Sequence, residues 1–153
     1  MFQGIHSTVI GDSHIKKGIV CQDSSGVYVS DHFAIAVVAD GHGSAKHFRS
    51  DVGSRIAVKI TLGLLKNYMK QPDFVEQFRE HPTFILRQME KQILMKWREA
   101  VEEYHRENPL TEEEQEKQAQ MGGNLRTATI YGWCAGRRVC VRAGAGRWRT
   151  GGS

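Results

Sequence analysis

The sequence predicts a mixed α+β domain, and three features carry that expectation. Two blocks, residues 2–10 (FQGIHSTVI) and 26–39 (GVYVSDHFAIAVVA), are rich in β-branched and aromatic residues, which suit a pleated, half-buried surface. A stripe at Phe48, Val52, Ile56, Ile60 and Leu64 recurs every four residues, widened by Ala57, Leu65 and Tyr68. A second stripe, Leu86, Met89, Ile93, Trp97, Ala100 and Tyr104, steps by three and four; both have the period of amphipathic helices. With 153 residues and 40% hydrophobic composition, the chain can build one domain with a core but is short for two.

In chain order, residues 2–10 read as a first strand. The stretch GDSHIKKGIVCQDSSG is polar and glycine-punctuated except at Ile19-Val20-Cys21, a further short strand candidate. The block 26–39 breaks at Ser30-Asp31-His32 and reads as a hairpin. Its later arm, 33–39, is almost wholly apolar and is expected to be buried on both faces. A helix follows over 45–70, weakened by Gly53 and Gly63 and ended by Pro72, with Asp73 placed to cap a short turn. Pro82 suits the first position of the next helix, and Asn108-Pro109 stops it. Thr111 and Glu114 have the spacing of a capping box opening a short polar helix through Gln120. The apolar stripes are read as core packing rather than as cofactor contacts. Short strands are expected at 127–131 and 138–142, and no internal repeat is present.

The composition excludes several classes of function. No apolar run approaches the roughly 20 residues a membrane-spanning helix needs, so no membrane partner is expected. The N-terminus lacks the basic start, apolar middle and cleavage site of a secretory signal. Cys21, Cys134 and Cys140 form no CxxC pair and no even set, so neither a disulfide framework nor a zinc site is expected. A cytoplasmic location follows as the expectation. The net charge is +4, but six of the 21 basic residues fall in 122–153, which hold no acid. The first 121 residues therefore carry more acidic than basic groups, and a nucleic-acid partner is not expected.

The segment FAIAVVADGHGSAKHF, 33–48, places Asp40, Gly41, His42 and Gly43 between an apolar strand and a helix start. Asp-Gly is an ordinary turn pair. Here, however, the strand offers a rigid place from which to aim a carboxylate, and two glycines let backbone carbonyls approach a ligand. The helix start favours an anion. An oxygen-rich strand end of this kind suits a hard cation, Mg²⁺ or Mn²⁺, holding a phosphate. A second carboxylate should converge on it, and Asp23 in CQDSSG, one hairpin earlier, is the candidate beside its reading as a turn former.

GIVCQDSSG followed by AIAVVADGHGSAKHFRSDVGSRIAV resembles the first half of the PPM-type (protein phosphatase 2C) metal-dependent serine/threonine phosphatases, in particular their bacterial branch. The resemblance covers about 4–121. It implies the N-terminal part of an α/β/β/α sandwich, antiparallel sheets flanked by two long helices. It further implies that Asp40 bridges two Mn²⁺ or Mg²⁺ ions, that the Gly41 carbonyl ligates one, and that Asp23 acts through metal-bound water. A water shared by the metals would attack a phosphoserine or phosphothreonine of a phosphoprotein substrate. His42 becomes the candidate general acid, with turn hydrogen bonding as its competing role.

The match departs from the family in two places. The family commonly holds phosphate with an arginine shortly before the first Asp; here only His14, Lys16 and Lys17 occupy that stretch, and Lys16 and Lys17 are phosphate-binding candidates as point charges without the bidentate fork, with solvated surface lysines as the favoured reading. Further metal-binding Asp residues belong to a second half of the family fold that the chain does not reach, so a truncated, inactive phosphatase is expected. Residues 122–153 have two readings. TATIYG and VCVRAGAGRW resemble the family's next strands, with Ala145 where an acid belongs. Alternatively, arginine, glycine and tryptophan without lysine or acid suggest a shifted reading frame or a disordered tail, which is the favoured reading. A sheet left uncovered by missing strands would invite self-association, and the competing function is a non-catalytic interaction module derived from the phosphatase fold.

Overall fold

A computed structural model describes residues 3–18, 20–41, 49–120 and 140–144. In chain order these form α1 (Asp12–Lys16), β1 (Ser24–Val29), β2 (Ala34–Ala39), α2 (Ser50–Met69), α3 (Phe74–Glu80), α4 (Pro82–Glu107), α5 (Glu112–Gln120) and β3 (Cys140–Gly144). The fold is mixed α+β, as expected. The strands make one antiparallel sheet in the order β1-β2-β3.

The hairpin turn falls on the expected cluster. Ser30 closes it: its backbone N–H donates to the Phe33 carbonyl at 2.9 Å, and its hydroxyl accepts the N–H groups of His32 and Phe33 at 3.3 and 3.1 Å. From the turn, β1 and β2 pair from Val29↔Ala34 to Ser24↔Ala39. Ile35, Val37 and Ala39 of β2 are buried toward α2, whereas Ala36 and Val38 are exposed, Val38 by 48%. The expectation that this arm is buried on both faces is therefore corrected. The pleat sends alternate residues to opposite sides, and among the described residues only one side of β2 is covered by helix.

Residues 3–10 do not form the expected strand. Ile5 is 96% exposed, and the segment meets β1 through side chains, with Thr8 Oγ1 and Ser25 Oγ 2.7 Å apart. A β-prone composition becomes a strand only when a partner supplies the ladder. The other expected strand, Ile19-Val20-Cys21, is also absent: Val20 and Cys21 have irregular backbone and residue 19 lies outside the described set. The candidate strand at 127–131 also lies outside it, while β3 overlaps the one expected at 138–142.

Helix α2 lies across β1 and β2, and α4 packs on α2. Of the expected stripe on α2, Val52, Ala57 and Leu65 are buried and Ile56 and Tyr68 pack against the core, while Ser54, Val58 and Thr61 join the buried face. Of the two polar residues there, Ser54 bonds the Gln22 carbonyl, whereas the Thr61 hydroxyl is buried without a hydrogen-bond partner among the described residues. On α4 the buried line is Met89, Ile93, Trp97 and Val101. Met89, Ile93 and Trp97 were expected; Leu86 is 53% exposed, and Val101 takes the place assigned to Ala100. Trp97 is fully buried and donates its indole N–H to the Gly53 carbonyl at 2.9 Å, tying α4 to the first turns of α2. Asp73 stands at the N-cap of α3, but its side chain makes no cap bond. The capping box forms as its spacing requires: Thr111 N–H donates to Glu114 Oε2 at 3.0 Å and Glu114 N–H to Thr111 Oγ1 at 3.3 Å. No described helix is long and apolar enough to cross a membrane.

Candidate metal centre

Asp40 follows directly on β2 and Asp23 directly precedes β1. The last paired residues of the hairpin are Ser24↔Ala39, so Asp23 and Asp40 are the next residues of the two strands at the same end of the hairpin. Both residues are exposed, as ligands for a solvated cation and an incoming phosphate must be.

The backbone secures the approach. The Gly41 N–H donates to Asp23 Oδ1 at 3.2 Å, a direct tie between the two strand ends. A Cβ at Gly41 would overlap the carbonyl of Gln22. Glycine is required here for clearance, since no positive φ is involved. That Gln22 carbonyl in turn accepts the Ser54 hydroxyl of α2 at 2.5 Å, and Ser54 Oγ also lies 3.2 Å from Ser24 Oγ. Gln22 itself is only 5% exposed, and its side-chain Oε1 is buried without a hydrogen-bond partner among the described residues. The Cys21 thiol, which is free, contacts the Asp23 carbonyl at 3.8 Å.

Gln22 and Ser54 were not singled out from the sequence. The available signal was negative: a serine on the core-facing side of an apolar helix needs a buried acceptor, and here it is the carbonyl beside the carboxylate pair. Of the expected site residues, the structure joins Gly41 to Asp23 by a hydrogen bond, and Asp40 adjoins Gly41 at the end of β2. His42 lies outside the described residues. Lys16 is on α1, ion-paired to Asp12 at 2.6 Å with both side chains exposed, and Lys17 is an exposed residue just after that helix. Among the described residues no group of three or more His, Cys, Asp or Glu side chains converges as a metal site. Two carboxylates and the Gly41 backbone carbonyl are oxygen donors of the kind a hard cation takes, and they would supply part of its coordination.

An antiparallel hairpin with an Asp at each open end, backed by a long helix, frames a phosphatase-type domain. The family model for protein phosphatase 2C matches residues 10–147, and the chain belongs to that family. The match passes residue 121 and takes in β3. No curated protein matches the chain, and no solved structure does.

Proposed function

We propose that this chain is a metal-dependent protein serine/threonine phosphatase by descent, with Asp40, Asp23 and the Gly41 carbonyl placed to hold Mn²⁺ or Mg²⁺, and that with this partial ligand set its own hydrolysis of phosphoserine and phosphothreonine is weak or absent. The observation that carries the reading is the Gly41–Asp23 bond across the ends of β1 and β2, which unites the two motifs within a protein phosphatase 2C family match. The bound metal would supply charge neutralisation and a water acidic enough to act at neutral pH. The chain's own residues have separate tasks. Asp23 and Asp40 present anionic oxygens at the rigid end of a sheet, and Gly41 clears the approach to its carbonyl. His42 is placed in sequence to give a proton to the leaving serine or threonine oxygen. Two carboxylates and one carbonyl leave most of an octahedral shell to other donors, so affinity and turnover through the pair alone are low.

The test is calorimetric titration of the full chain with Mn²⁺ beside Asp40→Ala, followed by Mn²⁺-dependent phosphate release from a phosphothreonine peptide. Heat of binding that the substitution abolishes supports the reading. A folded wild-type protein with neither binding nor release refutes it.

The exposed apolar side chains on the open sheet face, Val38 foremost, favour a second reading as an interaction module that self-associates in the cytoplasm. On that reading Val38→Lys lowers the mass seen by sedimentation, and an unchanged mass rejects it.

A further inference from the structure

Arg49 immediately precedes α2, with its side chain only 11% exposed. Its Nε and Nη2 donate to the two carboxylate oxygens of Glu114 at 2.8 and 2.6 Å. Nη1 donates to the Asn108 carbonyl at 2.8 Å and meets His105 Nδ1 at 3.2 Å, and Nη2 reaches the Pro109 carbonyl at 3.2 Å. The guanidinium also lies 5.8 Å from the centre of the Tyr104 ring. One side chain at the start of α2 thus gathers the end of α4, its connection and the first turn of α5. The pair is oriented at both ends, because Glu114 is also the capping-box acceptor for the Thr111 N–H.

Burying an ion pair is a poor route to stability, since apolar residues of similar volume pack as well without desolvating two charges. What a forked, two-point contact adds is geometry. The geometry it sets is that of the first turns of α2, and the other side of those turns holds the candidate metal centre. There Ser54 binds the Gln22 carbonyl, which abuts Gly41, whose N–H is bound by Asp23.

We propose that Arg49, fixed by Glu114, is a positioning residue for the Asp23/Asp40 centre. It sets the rotation and axial position of the start of α2, from which Ser54 holds the Gln22–Asp23 backbone against Gly41. The inference rests on the reading of the carboxylate pair as a metal centre, and it makes the α4–α5 junction part of the machinery that spaces the two carboxylates. The contact sequence from Glu114 to Asp23 runs wholly through described residues.

The experiment uses the full ¹⁵N-labelled chain and four variants: Arg49→Lys, Glu114→Gln, the apolar double replacement Arg49→Met with Glu114→Leu, and Leu65→Ala as a destabilised control at the far end of α2. The readouts are the Gly41 amide resonance and its exchange rate, Mn²⁺ affinity by calorimetry, and thermal stability. In Arg49→Lys and Glu114→Gln the Gly41 amide shifts and exchanges faster, and Mn²⁺ affinity falls by about 10- to 100-fold, the range for residues that orient metal ligands. The double replacement regains stability without regaining either property. Leu65→Ala loses stability and keeps both. A wild-type Gly41 amide in Arg49→Lys and in the double replacement overturns the proposal, as does wild-type Mn²⁺ affinity in both. Should the wild-type chain bind no Mn²⁺, the phosphatase reading falls and the Gly41 amide alone decides the positioning role.

Discussion

Gly41→Ala and Gly63→Ala are the same chemical change, and the structure assigns them opposite signs. At Gly63, in the exposed middle of α2, an added Cβ meets nothing within 4 Å. Alanine there gains the helix propensity that glycine lacks, about 1 kcal/mol. At Gly41 the added Cβ would overlap the Gln22 carbonyl oxygen, with the Gln22 carbonyl carbon and Cβ each 2.8 Å away. These are mostly backbone atoms and cannot rotate aside, so the two strand ends must separate. Overpacking costs roughly 1–3 kcal/mol. Separation also strains the Gly41–Asp23 and Ser54–Gln22 hydrogen bonds, each worth about 1 kcal/mol or more. A net loss of about 3 kcal/mol follows, against a gain of about 1 at Gly63. For a chain of this size, 1 kcal/mol moves the melting temperature by roughly 2–4 °C. Thermal unfolding by circular dichroism should therefore show Gly63→Ala a few degrees above wild type and Gly41→Ala on the order of 10 °C below it. A Gly41→Ala protein that melts with the wild type would refute the packing of Gly41 on Gln22, and with it the convergence of Asp23 and Asp40.

The Arg49 cluster makes stability fall in acid in two stages. Burial, and then the Arg49 charge, lower the pKa of His105 from its ordinary 6.5, so the unfolded chain takes up that proton first and stability declines as pH drops below about 6.5. The Arg49 hydrogen bonds hold the Glu114 carboxyl down to about 2 from 4.5; its contribution is complete above about 4.5 and disappears as pH falls toward 2. Urea unfolding from pH 7 to 3 should show both declines, with Glu114→Gln removing the lower one; a wild-type profile for that variant contradicts the assignment. Ser54→Ala leaves the Gln22 carbonyl without its hydroxyl partner and should cost about 1–3 kcal/mol. An unchanged denaturation midpoint would show that the carbonyl is satisfied otherwise.

What was legible in the sequence was local. Period and capping residues mark α2, α4 and α5, because a helix is closed by bonds between near neighbours and its ends by residues such as Pro82, Asn108, Thr111 and Glu114. The Ser30-Asp31-His32 turn and the Asp-Gly pair after β2 were equally readable, since turns depend on a few adjacent residues. From these, with the resemblance, came the α+β class, the family and the site residues Asp23, Asp40 and Gly41.

Tertiary structure decided the rest. Residues 3–10 have strand composition and no ladder, because pairing needs a second segment that composition cannot name. The exposed alternate residues of β2 depend on what covers each face, not on how apolar the strand is. Ser54 joins the buried face of α2 because the Gln22 carbonyl, 32 residues earlier in the chain, accepts its hydroxyl. Arg49 looked like any charged residue near a helix start; only the chain's return through α4 to α5, more than 50 residues later, set Glu114, His105 and Asn108 around it. The sequence by itself determined the helices, the hairpin turn and the Asp23 and Asp40-Gly41 motifs, since each rests on neighbouring residues. Their register, spacing and support are properties of long-range packing, and the tertiary structure alone decided them.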